Sequence, residues 1–369
     1  MSLLLTEENF PTLSAAKREL DDLLTLMVEQ DGSDLHITAG SPACIRVNGT
    51  LSPVEGRIRL SPNDSDMLVR SMLSAALWEK FERAQELDTA YTIPGLSRFR
   101  VNVFQQRGAV GAVFRAIPHR IRPLAELGIP QAVEQFSRLP RGLVLVTGPT
   151  GSGKSTTLAS LIEVANQTRS GHIVTIEDPI EFLHKHNRCL VNQREVGSDT
   201  DSFATALRHV LRQDPDIILV GEMRDLETTS VAVTAAETGH LVFATLHTQS
   251  AAQTVERLID IYPPHQQQQI RSQVSSCLQG VLSQALLPRK DGTGRTVVCE
   301  VMIATSAIRN LIREGKPHQI PSFLQSSADV GMISFDQHLA TKFREDAISI
   351  SAALEVAHDA NEFRRLARI

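Results

Sequence analysis

Gly148-Pro149-Thr150-Gly151-Ser152-Gly153-Lys154-Ser155 matches the phosphate-loop pattern G-x-x-x-x-G-K-[ST] at every fixed position. The apolar run Gly142-Leu143-Val144-Leu145-Val146-Thr147 precedes it and reads as a buried strand. Thr156-Thr157-Leu158-Ala159-Ser160-Leu161-Ile162 follows it and reads as a helix. Strand, loop and helix in that order are the context the pattern requires. The glycines let backbone N–H groups turn inward around phosphate oxygens, and the helix start adds partial positive charge. Lys154 then reaches the β- and γ-phosphates, and the Ser155 hydroxyl binds Mg²⁺. Gly148 through Ser155, with Thr156 behind them, are the expected binding residues for a nucleoside triphosphate.

Downstream of the loop, apolar strands at 172–176, 217–220 and 241–245 alternate with helical stretches. With 143–147 they predict a parallel sheet flanked by helices, an α/β domain beginning near Gly142. Asp216-Ile217-Ile218-Leu219-Val220-Gly221-Glu222 is an apolar strand ending in an acid, and Glu222 is placed to hold Mg²⁺ through water. Ile173-Val174-Thr175-Ile176-Glu177-Asp178-Pro179 ends in acids as well, because Pro179 cannot continue a strand ladder. A carboxylate there can polarise an attacking water; a solvated acidic turn is the plainer alternative. His240 and His247 stand one at each end of the next strand, Leu241 to Thr245. Their odd spacing turns them to opposite faces, against a shared metal. Beyond about residue 265 the pattern reads as largely helical.

Upstream, residues 1–18 are polar and read as an extension. Leu20, Leu23, Leu24, Leu26 and Met27 predict a helix. Strand-like alternation follows at 34–38 and 44–51, a helix start at Ser61-Pro62-Asn63-Asp64, and strict alternation at 98–104 and 109–114. Residues 19–118 thus form an α+β domain. Ile117-Pro118-His119-Arg120-Ile121-Arg122-Pro123 opens a linker that runs to residue 141 with a short helix at 131–138.

The 369 residues suggest about two domains. A net charge of −5 gives no support to nucleic-acid binding. No apolar run is long enough to span a bilayer, and Met1–Glu8 lacks the basic start of a signal peptide, so a cytoplasmic protein is expected. Cys44, Cys189, Cys277 and Cys299 are scattered, without a zinc or redox pair.

The four boxes, in this order, resemble the secretion ATPase superfamily, hexameric motors that drive type II secretion and type IV pili. The resemblance implies a PAS-like fold for the N-terminal α+β domain, and a RecA-like fold with a helical C-terminal portion for residues 142–369. It makes Gly148–Ser155 the Walker A box, Asp216–Glu222 the Walker B box, Ile176–Glu181 the Asp box and Thr238–His247 the His box. Lys154, Glu177, Glu222, His240 and His247 are then catalytic. Rapid hydrolysis also needs an arginine brought onto the transferring phosphoryl group. Arg98, Arg100, Arg107 and Arg115 lie on the two N-domain strands, and the resemblance favours Arg100 and Arg115. Arg208 and Arg212 are further interface candidates.

Ala307-Ile308-Arg309-Asn310-Leu311-Ile312-Arg313-Glu314 is identical to a signature of the retraction branch of that superfamily, the type IV pilus retraction ATPases. Read from its residues alone it is an amphipathic helix with Ile308, Leu311 and Ile312 on one side. The retraction branch implies a homohexameric ring docked on an inner-membrane pilus platform protein, with a paralogous pilus ATPase as a possible companion. The tetracysteine insertion usual in assembly and type II secretion members is missing. Gln249 departs from the usual Asn after Leu-His-Thr, and the last ~30 residues match loosely. The alternatives are an assembly or type II secretion motor, a weakly hydrolysing accessory subunit, and a DNA translocase.

Overall fold

A computed structural model describes residues 9–117 and 120–369. The readings placed on Met1–Glu8, Pro118 and His119 fall outside the described residues. The chain divides into two compact units, Met1–His119 and Arg120–Ile369.

The first unit is a six-stranded antiparallel sheet in the order β3-β2-β1-β6-β5-β4. Its strands are β1 (Asp34–Ile37), β2 (Cys44–Val47), β3 (Thr50–Pro53), β4 (Glu86–Ile93), β5 (Ser97–Gln106) and β6 (Ala109–Ala116). Phe99, Val101 and Val103 of β5 are fully buried while Arg100 and Asn102 face away, the two-residue period of a half-buried strand. The first helix begins at Leu13, so residues 13–18 are not an extension. Thr12 caps it by accepting from the Ala15 N–H, and Ala16 joins Leu20, Leu23, Leu24 and Met27 in one buried stripe.

The second unit holds a seven-stranded sheet in the order β13-β12-β7-β11-β10-β8-β9. Its strands are β7 (Gly142–Thr147), β8 (His172–Glu177), β9 (Leu190–Glu195), β10 (Ile217–Val220), β11 (Leu241–Leu246), β12 (Leu278–Pro288) and β13 (Arg295–Ile303). All neighbours are parallel except β12 and β13. Every residue of β7, β10 and β11 is buried, because helices cover both faces, and this is why those segments read as unbroken apolar runs.

One expectation needs completing and another correcting. The region beyond residue 265 is largely helical, but it also holds β12 and β13, a long hairpin whose first strand pairs with β7. A buried apolar run fits a helix or a strand by periodicity alone, and the open flank of β7 decides between them. Residues 120–141 are not a free linker. Leu124, Ile129, Val133 and Phe136 pack into the core beside β7. Gly280 makes room for Phe136, since a Cβ there would lie 2.2 Å from the ring. The segment at 131–138 is a 3₁₀ helix. The C-terminal helices Phe335–Arg344 and Ala360–Ala367 share a cluster with β12 and β13 through Phe335, Leu339, Phe363, Leu287 and Val298.

Candidate active site

β7 ends at Thr147, and the chain turns at once into Gly148, Gly151 and Gly153 with φ of 140°, 79° and 89°. Only glycine adopts the first without strain, and a Cβ at Gly148 would stand 2.2 Å from the Gln284 backbone oxygen. Pro149, Thr150 and Gly151 form an exposed rim, while Ser152 is buried beneath it. The helix Lys154–Thr168 starts straight from the loop with no side-chain cap on its N-terminus, leaving its first N–H groups for a ligand. Thr156 lies in its first turn. Lys154 Nζ donates to the carbonyls of Gly148 at 2.8 Å and Pro149 at 3.0 Å, so its ammonium arches over the loop. Burial pulls the Lys154 pKa down, and the charge of Glu222 pushes back.

Glu222 follows β10. Its Oε1 lies 2.5 Å from Arg224 Nε and 2.9 Å from His247 Nε2. Burial alone would raise this carboxyl; the hydrogen bonds from Arg224 and His247 overcome it and hold the pKa below the usual value. The backbone beneath is pinned, since Thr245 Oγ1 donates to the Gly221 carbonyl at 2.5 Å and the Met223 N–H to the Thr245 carbonyl at 3.1 Å. Parallel pairing brings the strand ends of Lys154, Glu222 and His247 to one edge of the sheet.

Glu177 ends β8 on the same edge. Its Oε1 accepts from Thr175 Oγ1 at 2.6 Å and from Gln193 Nε2 at 3.2 Å. Desolvation raises its pKa despite those bonds. Gln193 was not singled out from sequence; it also bonds the Phe182 carbonyl and the His184 N–H, fixing the chain beyond β8. Position inside a strand carries no signal for such a role. Arg224 stands two residues beyond the Walker B acid and was legible only by proximity.

His240 is not brought to this edge. It lies at the opposite end of β11, roughly 20 Å along the strand from His247. There its Nδ1 is 3.0 Å from the Ala235 carbonyl, and its own carbonyl accepts from the Gly142 N–H. In the first unit Arg100 and Arg115 are cross-strand partners on β5 and β6. Arg115 Nε donates to Asp34 Oδ1 at 2.8 Å. Burial would raise the Asp34 pKa, and the bonds from Ser33 and Arg115 bring it below the usual value instead. Arg208 pairs with Glu227 at 2.6 Å.

The helix Ser306–Arg313 carries the signature of residues 307–314. Ile308, Leu311 and Ile312 are buried as its amphipathic pattern predicts, while Ala307, Asn310, Arg313 and Glu314 are exposed. Arg309 is a staple. Its guanidinium donates to the carbonyls of Ala304, Ser275 and Ser276 and to Gln279 Oε1, at 2.8–3.0 Å.

The donor set fits a magnesium nucleotide. An inward-turned glycine loop, a desolvated lysine, an exposed Ser155 hydroxyl and an ionised Glu222 converge at one strand edge.

The family model for the type II/IV secretion system protein matches residues 13–337. The type IV pilus retractation ATPase PilT of Pseudomonas aeruginosa is 49% identical over 342 residues, covering 92% of this chain and 98% of that protein. The type IV pilus ATPase PilU of the same organism is 42% identical over 351 residues, covering 95% and 92%. The crystal structure of the pilus retraction motor PilT with bound ADP superposes with a TM-score of 0.86 at 46% identity, covering 93% of this chain and 98% of that one. The chain therefore belongs to the type II/IV secretion system protein family.

Proposed function

We infer that this chain is the ATPase motor of type IV pilus retraction, working as a homohexameric ring. The observation that carries the ATPase is the formed phosphate loop, with Lys154 folded over it and Glu222 facing Lys154. The likeness to a pilus retraction ATPase over nearly its whole length supports the direction of work. The likeness to the type IV pilus ATPase PilU, at lower identity, leaves a pilus ATPase with another task as the second reading.

Lys154 releases the loop carbonyls and neutralises phosphate charge. Ser155 and Glu222 would hold Mg²⁺, which when bound would supply positive charge against the phosphates. His247 and Arg224 keep Glu222 ionised and oriented. Glu177 is the base for the attacking water; to act it must be ionised, and Thr175 and Gln193 are the donors that favour that state. Arg100 and Arg115 bring the transferring phosphoryl group the charge that the loop alone lacks. His240 has no part in this chain's own phosphate site. Asn310, Arg313 and Glu314 form the exposed edge of the retraction helix.

Among the described residues no helix is long and apolar enough to cross a membrane. Docking at the cytoplasmic face of the inner membrane through the pilus platform protein completes the proposal.

Two assays test it. Lys154→Ala should abolish ATP hydrolysis; full activity would overturn the site. Deleting the gene should leave surface pili abundant and stop twitching, whereas loss of pili would point to assembly.

A further inference from the structure

β12 lies beside the phosphate-loop strand, and its register is set by a buried pair. Ser283 faces Thr147 across the two strands, their hydroxyls 2.8 Å apart. The next residue, Gln284, is therefore level with Gly148 at the mouth of the loop. Strand alternation turns Gln284 to the other face, in a row with Leu282 and Leu286 under the helix Lys154–Thr168. It is the polar member of that row and only 3% exposed. A buried amide in such a row is costly unless its hydrogen bonds are made.

Its Nε2 donates to the Ser152 carbonyl at 2.7 Å. The same nitrogen would meet a Cβ on Gly153 at 3.2 Å, and the Gln284 backbone oxygen closes on Gly148. Residue 284 thus touches the loop near both of its ends. Among the described residues, Gln284 Oε1 and Ser152 Oγ are buried without a hydrogen-bond partner. The amide's one bond in the site is the donation to the loop.

A trans peptide is planar, with its C=O and the following N–H pointing in opposite directions. Holding the Ser152 carbonyl from below aims the Gly153 N–H into the concave side of the loop. That N–H is one of those a phosphate-binding loop must present. We propose that Gln284 is a positioning residue for nucleotide binding, which sets the Ser152–Gly153 peptide in its phosphate-facing orientation. The proposal rests on the reading of Gly148–Ser155 as a nucleotide site.

The test uses the full chain, with ribose-labelled fluorescent ADP and ATP as probes. Gln284→Met keeps the length and volume of the side chain and removes the donor. It should weaken both nucleotides about tenfold, the loss expected for one hydrogen bond to a buried carbonyl. KM for ATP should rise more than kcat falls. Gln284→Glu sets an acceptor against the Ser152 carbonyl when ionised and regains a donor when protonated. Its affinity, measured relative to Gln284→Met, should improve as pH is lowered. Affinities within twofold of the native protein in both variants, with Lys154→Ala losing binding, would overturn the role of Gln284. Weakening in Gln284→Met with no relative recovery of Gln284→Glu at low pH would also overturn it, leaving a packing effect. Native affinity in Lys154→Ala would instead mean that the nucleotide site itself is misassigned. If Gln284→Met does not fold, the affinity of Gln284→Glu measured relative to the native protein over the same pH range decides instead.

Discussion

His247 Nε2 stands 2.9 Å from Glu222 Oε1, joining the loops that follow β11 and β10. The contact shares Glu222 with Arg224, so two donors orient one carboxylate at the edge where Lys154 waits. A half-exposed imidazole at the end of a buried strand adds little to the core, and its role is orientation. His247→Ala should therefore lower kcat by about 10²-fold, the scale of one lost orienting contact in an active site, with little change in unfolding temperature. His240→Ala should leave the site's nucleotide affinity intact. Nucleotide titration and steady-state ATPase rates of the two variants check this contrast.

Gly148 faces the Gln284 backbone oxygen with no space for a methyl group, at a φ that only glycine adopts easily. Gly148→Ala must move the loop or β12. We expect nucleotide affinity to fall at least ~30-fold, equivalent to about 2 kcal/mol of strain. Titration with labelled ADP measures it.

Within the retraction helix, Arg309 and Arg313 should separate cleanly. Arg309 closes the C-terminal carbonyls of the helix Pro264–Cys277 and reaches Gln279. Removing it in Arg309→Ala should cost about 2 kcal/mol of stability. Arg313 is exposed at the end of its helix, and Arg313→Ala should change stability by less than ~0.5 kcal/mol. If the exposed edge docks the pilus machine, Arg313→Ala still impairs twitching at normal ATPase rate. Denaturant unfolding and a motility assay together decide.

Glu300 is buried on β13, where it accepts the Ala251 N–H at 2.7 Å. Burial raises its carboxyl from 4.5 to about 7, opposed by the N–H groups of Ala251 and Phe335 and helped by Asp336. An unfolded chain ionises this group first, near 4.5. Between that value and about 7 the native state holds the extra proton, so the Glu300 contribution to stability is lost as pH rises through this window. Glu300→Gln should flatten the fall in unfolding temperature across it. An unchanged slope would assign that fall to other groups.

Part of this architecture was open to reading because its signals are local. The loop, the apolar strands β7, β10 and β11 and the amphipathic signature helix each lie within a few consecutive residues, where turn chemistry and periodicity act. β12 and β13 were hidden because a buried strand has no period of its own, and only its partner distinguishes it from a helix. Residues 120–141 looked like a linker because prolines and arginines dominate their start, while Leu124 and Phe136 bury themselves only once β7 is in place. Arg309 reads as one charged residue on the polar side of a helix, yet its partners lie some 30 residues away in sequence.

By itself the amino-acid sequence determined which residues are expected to hold nucleotide phosphates, and to which family of motors the chain is similar. Eight contiguous residues suffice for the first, because backbone geometry in a glycine loop is a local property; the second needs four boxes in order. That His240 and His247 stand at opposite ends of one strand was already legible, but tertiary structure alone decided that His247 reaches Glu222. It alone decided that Gln284, more than 130 residues along the chain, supports Ser152 from below. Such contacts arise from strand order and register, and these depend on the packing of the whole sheet.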